Sequence, residues 1–175
     1  MDALEVILTR RSIRRFTSQP VTNDMVNKIL TAAMNAPSAT NEQPWQFLVI
    51  NDRKILEDIT TVHPYALMCR QAASAIMVCI DTKKEKYRDF WVQDLSAATQ
   101  NILLAIRAIG LGGVWLGIYP TVARVEAIQK LFDLPEGVIP FSLVPFGFTD
   151  APQQKAKERF KIDRIHYNKW TGENN

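Results

Sequence analysis

Ala36-Pro37-Ser38-Ala39-Thr40-Asn41-Glu42-Gln43-Pro44-Trp45-Gln46-Phe47 is the stretch on which the reading of this chain turns. Two prolines bracket small and amide-bearing residues, so the first nine positions form a loop. Upstream, Val26, Ile29, Leu30, Ala33 and Met34 share one face at helical spacing, behind Thr22 as an N-cap and Asp24 in the first turn. That pattern predicts a helix over residues 23–35. Downstream, Trp45–Ile50 is rich in aromatic and β-branched residues and predicts a strand. Small side chains let a planar ligand approach the loop closely, and Asn41 and Gln43 offer donors and acceptors to the edge of a heterocycle. The same residues equally suit an ordinary turn into a strand. Taken alone, the loop leaves both readings open.

Working outward, Leu4, Ile7 and Leu8 recur at helical spacing and predict a short first helix that ends near residues 10–12. Residues 14–21 read as extended, since Pro20 blocks a helix there. A short helix is expected over 55–59, and the continuous apolar run 75–80 reads as a strand buried on both faces. Val92, Leu95, Ala98, Ile102, Leu103, Ile106 and Ile109 define a long amphipathic helix that Gly110 stops. A strand over 114–118, a helix over 122–132 and a strand over 139–146, interrupted in pattern by Pro145, complete the expected elements. No internal repeat is present. Helices and strands interleave, but without the regular βα spacing of a doubly wound parallel sheet. The expected class is therefore α+β, a central sheet with helices on both sides.

The 175 residues suit one domain over 1–175, and an apolar content of 47% allows a sizeable core. Twenty-one Lys and Arg against 18 Asp and Glu give a net charge of +3, which fits a small anionic ligand better than nucleic acid. Cys69 and Cys79 have neither C-x-x-C nor zinc-ligand spacing and are read as reduced thiols in or near the core of a cytoplasmic protein. The acidic start Met1-Asp2-Ala3-Leu4-Glu5 lacks a signal pattern, and no apolar run reaches the roughly 20 residues of a membrane span. A soluble protein with no membrane partner is expected.

Four stretches carry chemistry. Arg10, Arg11, Arg14 and Arg15 surround Ser12, and guanidinium is suited to phosphate because it stays charged and donates two parallel hydrogen bonds. By charge alone, the cluster is also a solvated basic end of a helix. The loop at 37–47 is the second. In the third, residues 111–120, Gly112 and Gly113 form no dinucleotide or P-loop fingerprint, and Gly117 marks a place where another group approaches the backbone. The fourth is Lys155-Ala156-Lys157-Glu158-Arg159, where Lys157 and Arg159 would point the same way in an extended segment. The two histidines, His63 and His166, form no metal motif, and there is no nucleophile elbow. Each histidine reads as a surface or packing residue rather than a catalyst, and His63-Pro64-Tyr65 is a candidate to line a pocket mouth.

Together these stretches resemble the nitroreductase family of flavoproteins. An early R-x-S-x-R-x-F is met by Arg10, Ser12, Arg14 and Phe16. An A-P-S-x-x-N-x-Q-P-W-x-F loop is met by Ala36, Pro37, Ser38, Asn41, Gln43, Pro44, Trp45 and Phe47. A central helix ending in G-L-G is met at Gly110, Leu111 and Gly112, followed by a W-L-G-like strand at Trp115, Leu116 and Gly117. Gly147, Pro152, Lys157 and Arg159 match the closing stretch.

The resemblance implies a three-layer α+β sandwich with a mostly antiparallel sheet, assembled as an intertwined homodimer with FMN at the interface. It implies that Arg10, Arg11, Ser12, Lys157 and Arg159 hold the FMN phosphate, and that Arg14 lies by the pyrimidine edge of the ring. Pro37, Ser38, Ala39, Asn41 and Gln43 would reach the flavin from the partner subunit. Trp115, Leu116 and Gly117 would face the ring near its reactive nitrogen. The implied activity is hydride transfer from NADH or NADPH through the flavin to nitroaromatic, quinone or similar acceptors by a ping-pong route, with no protein acid or base and no metal. Two other readings stand beside it. One is a flavin-binding or flavin-processing protein without general reductase activity. The other is a small nucleic-acid or interaction module built on the arginine cluster.

Overall fold

A computed structural model describes residues 1–152 and 156–170. Five helices, α1 (Ala3–Thr9), α2 (Asn23–Met34), α3 (Arg53–Val62), α4 (Trp91–Ala108) and α5 (Val122–Leu131), alternate with five strands. The strands are β1 (Trp45–Ile50), β2 (Ser74–Asp81), β3 (Gly112–Gly113), β4 (Leu116–Gly117) and β5 (Val138–Gly147). Their order is β1-β2-β5-β3, with β4 also on β5, and every strand pair is antiparallel.

β2 explains the layers. Ile76, Val78 and Ile80 lie in one core with Ile29 and Ala33 of α2 and Leu95, Ala98 and Ile102 of α4. Ala75, Met77 and Cys79 alternate into a second core with Leu56 and Ile59 of α3 and Ile128 of α5. A strand apolar on both faces needs cover on both, which is the expected α+β sandwich of three layers.

Local chemistry sets the helix ends. Thr22 Oγ1 accepts from Met25 N–H at 3.3 Å, as its N-cap position predicts. Asp52 caps α3 by accepting from Ile55 N–H at 3.0 Å, so this helix begins earlier and runs longer than the 55–59 expected. Pro64 disfavours helical backbone at His63, and α3 ends at Val62. At the end of α4, Gly110 adopts φ +84°, a left-handed turn open to glycine, and Leu111 N–H reaches back to Ile106 O at 2.9 Å.

The strand expected at 114–118 is instead two short pieces. Val114 N–H donates to Pro145 O at 3.2 Å, but Pro145 has no N–H to return to Val114 O. The ladder lapses there and resumes at Leu116↔Leu143 and Gly117↔Ser142. Against β3, Ser12 forms a parallel bridge to Gly113, and Ile13 N–H donates to Gly113 O at 3.0 Å.

α1 forms where its periodicity predicts, but its apolar stripe is left largely exposed. Only Val6 of the helix is buried, while Leu4, Ile7 and Leu8 are exposed. Cys69 and Cys79 are free and buried, and burial pushes both thiols up to about 12, against a smaller opposing effect of Arg53 at Cys69.

Gly112 is where the Ser12 bridge is most sensitive. A Cβ there would sit 2.7 Å from Ile13 Cγ2, 2.9 Å from Ile13 Cβ and 3.0 Å from Thr149 Cγ2. Gly112→Ala is expected to lower unfolding free energy by roughly 1–3 kcal/mol, through overpacking that pushes Ile13 off the sheet edge. Urea denaturation checks this; an unchanged midpoint would show that the edge yields without cost.

Candidate functional site

α1 ends at a knot of cations. Arg11 Nη1 donates to Leu8 O at 2.9 Å and Arg10 O at 2.7 Å, closing the carboxyl end of the helix. Arg107 of α4 donates from Nε and Nη2 to Thr9 Oγ1 at 3.2 and 3.1 Å. Extended residues 156–161 pass opposite, and a cleft of about 480 Å³ is lined by Ile7, Leu8, Arg10 and Arg11 on one side and 156–160 on the other. Lys157 and Arg159 line this cleft together with Arg10 and Arg11, but so do Ala156, Glu158 and Phe160 between and beside them; Lys155 lies outside the described residues. A smaller cavity of about 80 Å³ adjoins it, bounded by Thr9, Arg10, Arg11, Arg107, Gly113 and Thr149 among others. The Arg10 guanidinium is held below its ordinary value by burial first, then by the charges of Arg11 and Arg159. Ser12 and Arg14 are exposed beyond this cleft, on the extended segment that follows the bridge.

The loop at 37–44 is prebuilt by its own polar groups. Ala39–Asn41 forms one short 3-10 turn, and Thr40, Asn41 and Gln43 all take positive φ. Ser38 Oγ accepts from Gln43 N–H at 3.1 Å, and Gln43 Nε2 donates to Asn41 Oδ1 at 2.8 Å. Pro37, Ser38, Ala39, Asn41 and Gln43 do not line the arginine cleft of their own chain.

Two carboxylates anchor that loop, and neither was singled out in the sequence. Asp94 of α4 is 5% exposed, and its Oδ1 accepts from Ala39 N–H at 3.0 Å. Glu42 Oε2 accepts from Lys86 and Tyr87 N–H at 2.8 and 3.1 Å. Asp94 Oδ2 and Glu42 Oε1 are buried without a hydrogen-bond partner. Burial raises the Asp94 carboxyl, Glu42 raises it further, and the Ala39 bond pulls it back. The signal was available: Asp94 interrupts the apolar stripe of Trp91, Leu95 and Ala98.

β4 carries the third region. Trp115 packs edge-on to Phe141 with ring centroids 5.8 Å apart, and Leu116 is buried. A Cβ on Gly117 would meet only Tyr119 O, at 4.0 Å, so the position opens into free space. Gly117 O accepts from Arg124 Nη1 at 3.0 Å and lies 3.0 Å from His63 Nε2. His63 is 2% exposed, so it lies inside the site wall, and exposed Tyr65 is the group at the surface.

Residues 7–67 and 61–148 match the Nitroreductase family. The chain belongs to that family. It is 51% identical to a Methanothermobacter thermautotrophicus protein named "Putative NADH dehydrogenase/NAD(P)H nitroreductase", over 97% of this chain and 88% of that one. It is 28% identical to the oxygen-insensitive NADPH nitroreductase of Salmonella typhimurium, over 88% of this chain and 69% of that one. A crystal structure from Desulfovibrio desulfuricans, described as "a putative nitroreductase in complex with fmn", superposes with a TM-score of 0.81 at 28% identity, covering 98% of each chain. The α+β fold of this chain agrees with those matches.

The Asp94 carboxyl gives a test of the loop anchor. Its folded value lies above the unfolded value of about 3.9. Its stabilising contribution is therefore fully present below about pH 4 and lost as pH rises through the raised folded value. Asp94→Asn keeps an acceptor for Ala39 N–H and removes the buried charge. Stability at pH 7 should be equal or higher, by up to roughly 1 kcal/mol, with a flatter pH dependence above pH 4. Denaturation curves at several pH values decide, and parallel pH slopes for the two proteins would refute the assignment.

Proposed function

We propose that this nitroreductase-family chain is an FMN-dependent oxidoreductase that takes reducing equivalents from NADH or NADPH and delivers them to a nitroaromatic, quinone or similar acceptor. The observation that carries this is the cleft holding Arg10, Arg11, Lys157 and Arg159. Three guanidiniums and an ammonium line it against the one carboxylate of Glu158, and Arg10 is depressed by burial and by its like-charged neighbours Arg11 and Arg159. An anion with several acceptor oxygens fits that donor set, and a phosphate monoester has both the charge and the fork geometry. When bound, FMN would supply the two-electron redox chemistry that links NADH or NADPH to the acceptor in a ping-pong sequence.

The roles of the chain's own residues follow. Arg10, Arg11, Lys157 and Arg159, with the Ser12 hydroxyl, hold the phosphate. Arg14 offers a cation to the pyrimidine edge and favours the reduced, more anionic ring. Trp115, Leu116 and Gly117 border the ring, and Gly117 leaves room for it because nothing fills the position of its absent side chain. Pro37, Ser38, Ala39, Asn41 and Gln43 close the site from a second copy, whose prebuilt loop costs little ordering on binding. The chain 1–175 then acts as one FMN-binding domain within a cytoplasmic homodimer. The uncovered stripe of α1 supports that assembly, as do Phe160, Tyr167 and Trp170, at 69%, 75% and 84% exposure. Among the described residues no helix is long and apolar enough to cross a membrane. A general acid or base is not required for hydride transfer, and the two buried carboxylates serve the loop instead.

Purified protein reconstituted with FMN should be yellow, and NADH or NADPH should bleach it under anaerobic conditions. Yellow protein that stays oxidised with both nucleotides would favour a flavin-binding role without reductase activity. Arg10→Ala removes a charge-assisted contact of about 1.5–3 kcal/mol and should weaken FMN binding roughly 10- to 100-fold by titration. Arg14→Ala should weaken FMN retention and lower the flavin potential, and unchanged values of both would remove the role given to Arg14.

A further inference from the structure

Gly117 sits where sequence and backbone offer least restraint. Its strand is two residues long, Pro145 breaks the ladder on one side of it, and glycine has the softest torsions of any residue. In the antiparallel register with β5, Val114 and Ile118 N–H donate to Pro145 O and Phe141 O at 3.2 and 3.1 Å. The intervening alternation turns both polar groups of Gly117 away from β5, toward the outer edge of the sheet. That edge is where the FMN reading puts the cofactor.

The Gly117 carbonyl is nevertheless fixed there by two side chains from different elements. His63 ends α3 and Arg124 lies in the first turn of α5, and each places a nitrogen 3.0 Å from Gly117 O. Tyr65 N–H, which can only donate, points at His63 Nδ1 at 3.3 Å. Nδ1 is therefore the unprotonated ring nitrogen, and Nε2 carries the proton that it donates to Gly117 O. The Arg124 guanidinium lies over the Tyr65 ring, 5.3 Å from its centroid, closing the circuit His63–Gly117–Arg124–Tyr65. A buried histidine with both ring nitrogens engaged, one on the Tyr65 N–H and one on the Gly117 carbonyl, is more than packing requires.

We propose that His63 and Arg124 are positioning residues: they clamp the Gly117 carbonyl and so, with β5 holding the flanking residues, fix the Gly117 backbone that meets the flavin ring. This rests on the FMN reading above. The clamp restricts ψ of Gly117 from one side while β5 holds the neighbouring residues from the other. The alignment of the reacting ring against the nicotinamide is thereby set by groups that touch neither, and misplacement of about 1 Å costs on the order of 100-fold in rate.

The test uses the FMN-loaded protein. His63→Leu and Arg124→Met remove the donors; His63→Gln and Arg124→Lys each keep a nitrogen donor. Three measurements are made on every variant: FMN affinity, the anaerobic rate of flavin reduction by NADH in stopped flow, and the Gly117 amide resonance in ¹⁵N-labelled protein. The expected result for His63→Leu is a tenfold or greater fall in reduction rate, with a shifted or exchange-broadened Gly117 resonance and FMN affinity within about threefold of wild type. Arg124→Met should behave likewise, and it remains informative if the buried histidine variant folds poorly, because Arg124 is only half-buried. His63→Gln and Arg124→Lys should recover most of the rate. Wild-type protein that binds FMN, with both donor-deleted variants keeping the wild-type rate and Gly117 resonance, overturns the clamp alone. Equal rate losses in the deleted and conservative variants overturn it too, since packing rather than donation would then be responsible. Wild-type protein that takes up no FMN overturns the flavin reading and the clamp with it.

Discussion

β2 has no polar face, and most of the architecture follows from that. Along residues 75–80 successive side chains enter two different cores, and six of them are at most 3% exposed. Each large side chain left in water would cost about 1.5–3 kcal/mol. The strand must therefore be flanked by β1 and β5 and covered on both faces by helices. The polar exceptions at its borders are satisfied: Ser74 Oγ donates to Ile50 O at 2.9 Å, and Ser142 Oγ pairs with Thr99 Oγ1 at 2.9 Å. With α4 fixed on one side of this sheet, its glycine-terminated end delivers β3 to the far edge of β5.

That far edge is where the sheet is left incomplete. Pro145 within β5 withholds one N–H, β3 and β4 stay two residues each, and their outer polar groups remain for other partners. An open edge normally invites pairing with another chain. Here side chains and one short extended segment take it up: Ile13 N–H on Gly113 O, and His63 with Arg124 on Gly117 O. A proline that looks like a defect in a central strand thus creates the irregular border on which the candidate site is built.

Periodic features were legible in the sequence because they report one chain's packing. The helix at 23–34, the two-faced strand and the glycine stop at 110 all lie where the pattern puts them. The division of the 114–118 strand was not legible, because it depends on which residue of β5 faces Val114, and register is a property of two strands together. That Lys157 and Arg159 line a cleft with Arg10, some 150 positions away, follows from no local pattern and was reached only through motif resemblance. Asp94 was passed over because a single carboxylate in an apolar stripe reads as noise until the Ala39 N–H appears opposite it. Local sequence marks His63 as a packing or pocket-mouth residue, and its specific bond is hidden because the Gly117 carbonyl that it meets lies 54 positions away.

α1 concentrates what this chain leaves unsatisfied. At seven residues it is too short to be stable by itself. Its holds are the Asp2 cap on Glu5 N–H at 2.9 Å, the buried Val6 and the Arg107 bonds to Thr9. Against these, its outward stripe is apolar and its carboxyl end gathers like charges around Arg10. A second copy would cover the stripe, and a phosphate would relieve the repulsion. On the proposed reading both act on one marginal helix, so each lowers the cost of the other. A ligand that binds only the ordered helix stabilises it by RT ln(1 + [L]/Kd), and assembly then draws on the same gain. Cofactor retention and dimerisation become linked through α1 without any residue having to touch both.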